Sequence, residues 1–234
     1  MVVFPPLIKA KFIERPNRFI LVLERQDTKE LIRAHLPDPG RLKELLVKDA
    51  TVWVTYSDKS TRKTKWTAVL CESEEGLYVS LQTTVANRLV ESAIQTKAID
   101  SLSEWELVRR EYQVGSSRFD FLLENSTKEQ LLLEVKSVTL ARDGKGLFPD
   151  APTSRGTKHV HELTELVQTG TYQTGILFVA QREAITSISS EKVIDPAFNH
   201  ALEKAHEEGV KIVAVNTLIS TTEILIQKEI PFFI

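Results

Sequence analysis

Residues 118–137 read RFDFLLENSTKEQLLLEVKS, two apolar segments of strand length joined by five turn-forming residues at 125–129. This arrangement predicts a β-hairpin. If the hairpin is symmetric about Thr127, residues whose numbers sum to 254 face each other, and Asp120 lies directly opposite Glu134. Cross-strand neighbours have Cβ atoms about 5 Å apart on the same face, so two like charges are brought together.

A third charged side chain shares that face of the hairpin. Lys136 lies two residues beyond Glu134, so the period of two in a strand places both on one side, while Val135 points to the other. An Asp, a Glu and a Lys that converge are the arrangement that binds a hard divalent cation and positions water against a phosphodiester. The alternative is a solvent-facing hairpin with an ordinary surface Glu–Lys pair.

Composition bounds the class of protein. The 234 residues, 42% of them hydrophobic, are enough for one large domain or two small ones with a real core. No basic region followed by an apolar run opens the sequence, and no apolar stretch approaches membrane-spanning length, so we expect a cytoplasmic protein with no membrane partner. Cys71 is the only cysteine, which excludes an internal disulfide and a multi-cysteine metal site.

Charge is distributed unevenly along the chain. Residues 1–83 contain 14 Lys and Arg against 11 acids, a net of +3, whereas residues 84–234 contain 16 against 21, a net of −5. The overall balance argues against blanket neutralisation of phosphates. The acidic excess lies in the half that carries the carboxylate hairpin, which fits a cation site, so a polyanion would be held by the basic half.

The first half has the pattern of a β-barrel. Between the third and fourth apolar runs stand the turn sequence Pro37-Asp-Pro-Gly40 and residues 41–47, in which Leu42, Leu45 and Leu46 have helical spacing. Three strands, a short helix and two or more strands is the order of an OB-type barrel. The predicted strands are residues 7–13, 18–24, 30–36, 51–56, 65–71 and 77–81.

A basic loop at residues 57–65 joins two of these strands and ends in the aromatic residues Tyr56 and Trp66. Such a loop suits contact with nucleic acid through phosphates and base stacking. The alternative is a solvated surface loop whose flanking aromatics belong to the core. The candidate nucleic-acid-binding residues of the loop are Lys59, Arg62, Lys63 and Lys65.

The second half alternates helical and strand patterns. Helix, three strands, helix, strand, helix and strand predict a mixed sheet flanked by helices. Residues 141–152 are polar and are expected to be irregular, with a turn around Gly144. A helix-turn-helix at residues 201–220 is rejected, because the β-branched residues after Gly209 favour a strand. The predicted helices and strands are 87–95, 106–113, 118–124, 130–137, 153–167, 174–180, 196–208 and 210–215.

The helix that begins near Thr153 carries positive charge in its first turns. A helix N-terminus disfavours cations but accommodates phosphate, so basic residues at this position indicate an anionic ligand. The candidates are Arg155, Lys158 and His159. The alternative is a solvent-facing helix with ordinary charged residues.

Three stretches of the sequence resemble one known family, the sugar fermentation stimulation proteins, over essentially the whole chain. They are Asp120 with Glu134-Val-Lys136, residues 148–159 (FPDAPTSRGTKH) and residues 35–41 (HLPDPGR). The resemblance implies an N-terminal OB-like β-barrel and a C-terminal domain of the PD-(D/E)XK nuclease fold, a mixed sheet flanked by helices. One position departs from the nuclease pattern, since Phe119 stands where the motif has proline.

The resemblance also implies DNA binding with little sequence preference and a regulatory link to sugar (maltose) metabolism. The domains are then expected at residues 1–83 and 84–234. Our hypothesis is that Asp120, Glu134 and the carbonyl of Val135 hold Mg²⁺ or Mn²⁺, with Lys136 orienting water or stabilising charge in phosphodiester hydrolysis. Glu91 is a further possible ligand. The alternatives left open are a DNA-binding transcriptional regulator that keeps the nuclease fold without turnover, and a protein that acts on RNA. The sequence leaves the DNA form, single- or double-stranded, and the oligomeric state undetermined.

Overall fold

The computed structural model describes residues 1–234 and closes the first part of the chain into a five-stranded barrel. The strands run in the order β4-β3-β2-β5-β6, and a short parallel pairing of β4 with β6 completes the circle. The first strand lies outside the barrel, and the last one extends its sheet. The strands of this part are β1 (Val2–Val3), β2 (Ile8–Asn17), β3 (Ile20–Arg25), β4 (Leu31–His35), β5 (Thr51–Tyr56), β6 (Trp66–Glu72) and β7 (Tyr78–Ser80).

The barrel interior is filled by alternate residues of its strands. In β5, for example, Val52 and Val54 are fully buried while their neighbours are partly exposed, as expected for a strand with one face on a core. The prediction of an OB-like barrel is therefore confirmed.

The prediction of a helix at residues 41–47 is wrong. Leu42 has a positive φ of 49°, which interrupts a right-handed helix, and the segment instead makes turns that bury Leu42 and Leu45 against the barrel core.

The second part is built on a seven-stranded mixed sheet of order β1-β16-β15-β13-β10-β9-β8. Its three central strands, β10, β13 and β15, are parallel, and the outer pairings are antiparallel. The elements of this part are α1 (Thr83–Thr96), a 3-10 turn (Asp100–Leu102), β8 (Glu106–Val114), β9 (Ser117–Glu124), β10 (Gln130–Val138), β11 (Ala141–Arg142), β12 (Lys145–Phe148), α2 (Ser154–Gln168), β13 (Gln173–Ala180), β14 (Ser187–Ser190), α3 (Pro196–Glu207), β15 (Lys211–Ile219), β16 (Glu223–Glu229) and β17 (Phe232–Phe233).

Both faces of this sheet are covered, which explains the nearly continuous apolar runs of its central strands. One face packs against α1 and against barrel residues such as Leu70, and the other against α2 and α3. The predicted mixed sheet flanked by helices is confirmed. No helix of the chain combines the length and the apolar character that a membrane crossing requires.

Residues 141–152 contain more regular structure than the sequence predicts. β11 and β12 form a hairpin around Gly144, whose φ is 73°, and join β14 and β17 in a separate four-stranded sheet. The pairing of β12 with β14 is a long-range contact that local composition does not indicate. At this pairing Gly146 lies close to the Ile188 side chain. The rejection of a helix-turn-helix is confirmed, because residues 211–219 form β15.

Leu177 should be a main contributor to stability, because it is fully buried on β13, a central strand of the seven-stranded sheet. We expect Leu177→Ala to lower the free energy of unfolding by about 2–5 kcal/mol through lost burial and a residual cavity. The matched control is Leu218→Ala on β15, whose side chain is 46% exposed and should cost about 0.5 kcal/mol or less. Urea unfolding of both variants checks this, and equal losses would contradict the assigned core.

Candidate functional site

The carboxylate hairpin forms in the predicted register. Gln130 pairs with Glu124 and Leu133 with Phe121, so the residue numbers of each pair sum to 254. Regular pairing of β9 with β10 ends there, immediately before Asp120 and Glu134. The Asp120 carboxylate then accepts a hydrogen bond of 2.8 Å from the backbone N–H of Val135, through its Oδ2 atom. A side chain thus continues the contact between the two strands where backbone pairing stops.

Asp120 is held from a second side by α1. The Asn87 amide donates a 2.7 Å hydrogen bond to Asp120 Oδ1. Burial, and after it the charge of Glu134, raises the pKa of Asp120 to about 6, although the Val135 and Asn87 hydrogen bonds oppose the shift. The protein alone therefore leaves the charge on Asp120 incompletely compensated.

Glu134 is buried to 6% exposure and makes two strong contacts through one oxygen. Lys136 Nζ lies 2.7 Å from Glu134 Oε1, and His159 Nδ1 lies 2.6 Å from the same oxygen. Burial by itself would raise the pKa of Glu134, but the His159 hydrogen bond and the Lys136 charge outweigh it and hold the pKa below its usual value. The other oxygen, Oε2, is buried and has no hydrogen-bond partner. An ionised carboxylate with one orphaned buried oxygen is costly unless a ligand satisfies it.

The possible ligand Glu91 lies elsewhere. Its carboxylate pairs with Arg110 on β8 at 2.8 Å, and it does not line the cavity around Asp120. Asn87, one helical turn earlier on α1, is the residue that reaches the site. Sequence reasoning missed it, because an amide on an amphipathic helix carries no signal of its own.

Asp120 and Glu134 open into a cavity of about 540 Å³ between the barrel and the sheet, which we call the carboxylate cleft. Besides Asp120 and Glu134, its acidic lining comprises Asp38, from the loop after β4 of the barrel, and Asp150, from the segment between β12 and α2. The cationic lining is Lys136 and Arg155. Four carboxylates against two cations make the cleft strongly anionic, and both parts of the chain contribute to it.

Asp38 and Asp150 approach each other around Gly40. A Cβ atom on Gly40 would overlap Asp150 Oδ2 and would lie 2.8 Å from Asp38 Oδ1, so a larger residue would force both carboxylates to move. Asp150 Oδ2 accepts the backbone N–H of Arg41 at 2.9 Å, which joins the barrel loop to the second part of the chain. Burial raises the pKa of Asp38 to about 6, an effect that the Gly40 N–H opposes and the charge of Asp150 increases.

The sequence offered one signal for these two residues. Both lie in the stretches, 35–41 and 148–159, on which the family resemblance rests. Pro37-Asp-Pro-Gly40 by itself predicts only a turn, because a turn sequence carries no information about the distant segment that it meets in the folded chain.

The residues around Asp120 fit a hard divalent cation. The donors are carboxylate oxygens, one of them the orphaned Glu134 Oε2, with the Val135 carbonyl next in the chain. No group of three or more Asp, Glu, His or Cys side chains is close enough to hold a metal by itself. A cation here would therefore depend on the backbone carbonyl and on water as well, which is common for Mg²⁺.

The predicted phosphate-binding residues of α2 adjoin the cleft. Arg155 lines it, and Arg155, Lys158 and His159 line a second cavity of about 350 Å³ together with Arg118. We call this second cavity the basic pocket. His159 is only 5% exposed and bonds Glu134 with Nδ1, so the ring also positions the carboxylate, a role that the sequence did not predict.

The predicted basic loop of the barrel lies away from the cleft. None of Lys59, Arg62, Lys63 and Lys65 lines it. Lys65 is bonded to Asp58, Arg62 donates to the Thr67 hydroxyl, and Tyr56 and Trp66 pack edge to face with their centroids 4.9 Å apart. Contact of this loop with nucleic acid stays a prediction.

Fold and site together define a class, a two-domain protein with an OB-like barrel, a mixed sheet flanked by helices, and an acidic cleft between them. The family model for the SfsA N-terminal OB domain matches residues 13–81, and the model for the sugar fermentation stimulation protein RE domain matches residues 84–223. The chain belongs to the sugar fermentation stimulation protein family, as the sequence resemblance indicated.

Relatives match along nearly their whole length. The sugar fermentation stimulation protein homolog of Shouchella clausii is 50% identical over 97% of both chains, and that of Moorella thermoacetica is 42% identical over 89% of this chain and 88% of its own. Among solved structures, Pyrococcus furiosus SfsA in complex with Ca²⁺ has a TM-score of 0.89 and 28% identity, and covers 100% of this chain and 98% of its own.

Gly40→Ala should destabilise the protein, because its Cβ would collide with the Asp150 and Asp38 carboxylates. We expect a loss of about 1–3 kcal/mol in the free energy of unfolding. In the background of Asp150→Ala the same substitution should cost less, with a coupling energy of at least about 0.5 kcal/mol. Chemical unfolding of the two single variants and the double variant measures the coupling, and strictly additive losses would refute the close approach.

Proposed function

We propose that this protein is a divalent-metal-dependent phosphodiesterase that acts on DNA, with its reaction centre in the carboxylate cleft. The observation that carries the proposal is Glu134 Oε2, a buried carboxylate oxygen without a partner, beside an Asp120 whose charge is incompletely compensated. An unpaired buried oxygen and two neighbouring carboxylates both destabilise the fold, and a bound cation would relieve both.

The metal would be held by Asp120, Glu134 and the carbonyl of Val135, and Mg²⁺ or Mn²⁺ fits this oxygen donor set. The structure of the Pyrococcus furiosus relative is a complex with Ca²⁺, which supports divalent-cation binding in the family. When bound, such a cation supplies Lewis-acid polarisation of a phosphate oxygen and a lowered pKa for a neighbouring water.

The remaining chemistry belongs to side chains of the cleft. Lys136, with its ammonium 2.7 Å from Glu134 Oε1, provides positive charge where negative charge accumulates on the phosphate during attack by water. His159 fixes Glu134 from α2, and Asn87 fixes Asp120 from α1. In the hydrolysis, water adds to phosphorus as the bond to one ester oxygen breaks, and the leaving oxygen takes up a proton.

DNA would be held by cations beside the cleft. Arg155 and Lys158 of the basic pocket can bind phosphates that flank the reacting one, and His159, although only 5% exposed, lines the same pocket. We retain Lys59, Arg62, Lys63 and Lys65 as a more distant contact on the barrel. These contacts recognise the backbone, so we expect little sequence preference.

A DNA-binding protein without turnover is the second candidate function. The observation that favours it is the bond of Lys136 to Glu134, which commits the ammonium to an ion pair only 12% and 7% exposed. In that case the cleft binds a cation and DNA, but no side chain is free to assist the reaction.

Metal binding is tested by thermal unfolding. Mg²⁺, Mn²⁺ or Ca²⁺ should raise the melting temperature, because a ligand at about 100 times its Kd stabilises the native state by about 2.7 kcal/mol. Asp120→Asn should abolish the rise. Asp143→Asn, at an exposed turn position with positive φ that Asn tolerates, should retain it. A rise of equal size in the Asp120 variant would refute the site.

Catalysis is tested by cleavage of single- and double-stranded DNA with each metal. Lys136→Ala should slow cleavage by about 100-fold or more while DNA binding is kept, because the lost charge acts on the phosphate in the transition state and not on bound DNA. Lys192→Ala, at an exposed position outside the cleft, is the matched control and should cleave normally. If the wild-type protein binds DNA but does not cleave it in the presence of any of these metals, the second candidate function is established instead.

A further inference from the structure

Two cavities adjoin the carboxylate cleft through different walls. The basic pocket shares Arg155, in the first turn of α2, with the cleft. A third cavity, of about 440 Å³, shares Pro39 and Gly40 of the barrel loop and Ala151 with it. The basic pocket and the third cavity share no lining residue with each other, so they adjoin the carboxylate cleft at different places.

The third cavity, which we call the basic groove, is lined by Arg15, Arg18, Arg41 and Lys43 around Pro39 and Gly40. No Asp or Glu lines it, and none of its four cations takes part in an ion pair anywhere in the chain. Cations gathered without ion-pair partners repel one another, which favours an anionic ligand. The sequence did not reveal this cluster, because its members come from two segments about 25 residues apart.

Arg15 gives the groove its shape. Its guanidinium donates to the carbonyl oxygens of Arg18 at 2.9 Å, Gly40 at 2.8 Å and Arg41 at 2.7 Å. These bonds fasten the turn between β2 and β3 to the loop after β4. The side chains of Arg18, Arg41 and Lys43 are left exposed, free to contact a ligand.

The basic pocket provides cations on the other side of the cleft. Arg155 is in no ion pair, Arg118 pairs with Glu111 at 2.8 Å, and Lys158 pairs with Glu162 at 3.5 Å. The Arg118 and Lys158 side chains are 59% and 56% exposed, so these pairs are weak and exchange readily for phosphate contacts.

We propose that the basic groove and the basic pocket bind the phosphates on the two sides of the reacting one, so that a single DNA strand crosses the carboxylate cleft from the barrel to α2. This inference rests on the proposed function and deepens it by naming the path of the substrate. Two basic cavities that adjoin an acidic cleft match a polyanion. Its central phosphate would meet a cation held by the carboxylates, and its flanking phosphates would meet the basic side chains. Phe19 follows Arg18 in the β2–β3 turn and is 52% exposed, so it offers a surface on which a base can stack. An acidic polypeptide ligand would have no use for such a surface, which favours DNA.

The groove is tested by fluorescence anisotropy with a labelled single-stranded oligodeoxynucleotide, in Ca²⁺ and separately in a chelator. Arg18→Ala combined with Lys43→Ala should weaken binding about tenfold and lower the slope of log K against log salt by about 1.4, since each single-strand phosphate contact contributes about 0.7. Arg18→Lys with Lys43→Arg should restore both quantities. Lys11→Ala with Lys48→Ala removes the same charge from exposed barrel positions outside the groove and is the matched control. The melting temperatures of all variants verify the fold.

The outcomes separate this path from the proposed reaction. If the groove variant loses binding and the control variant does not, the path is supported, whether or not the wild type cleaves DNA. Equal binding by the groove variant and the control overturns it, even if cleavage is observed. Binding that the groove variant loses only for RNA or for an acidic polypeptide, with DNA unaffected, also overturns it. Stronger binding in Ca²⁺ than in chelator is expected, because the carboxylates of the cleft otherwise repel the strand.

Discussion

The placement of two carboxylates side by side at the end of a hairpin is the constraint on which the rest of the structure depends. Asp120 and Glu134 repel each other in a partly buried site, so every element around them supplies a donor or a charge. α1 contributes Asn87, α2 contributes His159, and β10 contributes Lys136 and a backbone N–H. These contacts fix two helices against the sheet, yet they leave one oxygen of Glu134 unpaired.

The barrel forms part of the wall of the site. Its loop after β4 brings Asp38 and Gly40 to the cleft, and Asp150 binds the backbone of Arg41 in return. Arg15 holds the same loop on the barrel side through three backbone carbonyl groups. The two domains therefore meet through a network of polar contacts at the cleft, and a shift of one against the other would change the spacing between the acidic centre and the basic groove.

Much of the fold could be predicted because local pattern and tertiary environment agree. The register of the hairpin followed from its five-residue turn, and the alternation of apolar residues in the first half defined the barrel strands. The failures occurred where they disagree. Residues 41–47 have helical spacing, but burial of Leu42 and Leu45 in the barrel, with a positive φ at Leu42, replaced the helix by turns. The pairing of β12 with β14 could not be predicted because strands of four residues are too short to show a periodicity.

By itself the sequence determined the fold class and the convergence of Asp120, Glu134 and Lys136, since these depend on periodicity and on turns between residues close in the chain. Only the tertiary structure decided what surrounds them. Asp38 lines the cleft and His159 bonds Glu134 from segments distant in sequence, and the cations of the basic groove come from two separate segments of the barrel. The physical reason is that a strand or turn encodes the direction of its own side chains, whereas the neighbours those side chains meet are set by how layers and domains pack.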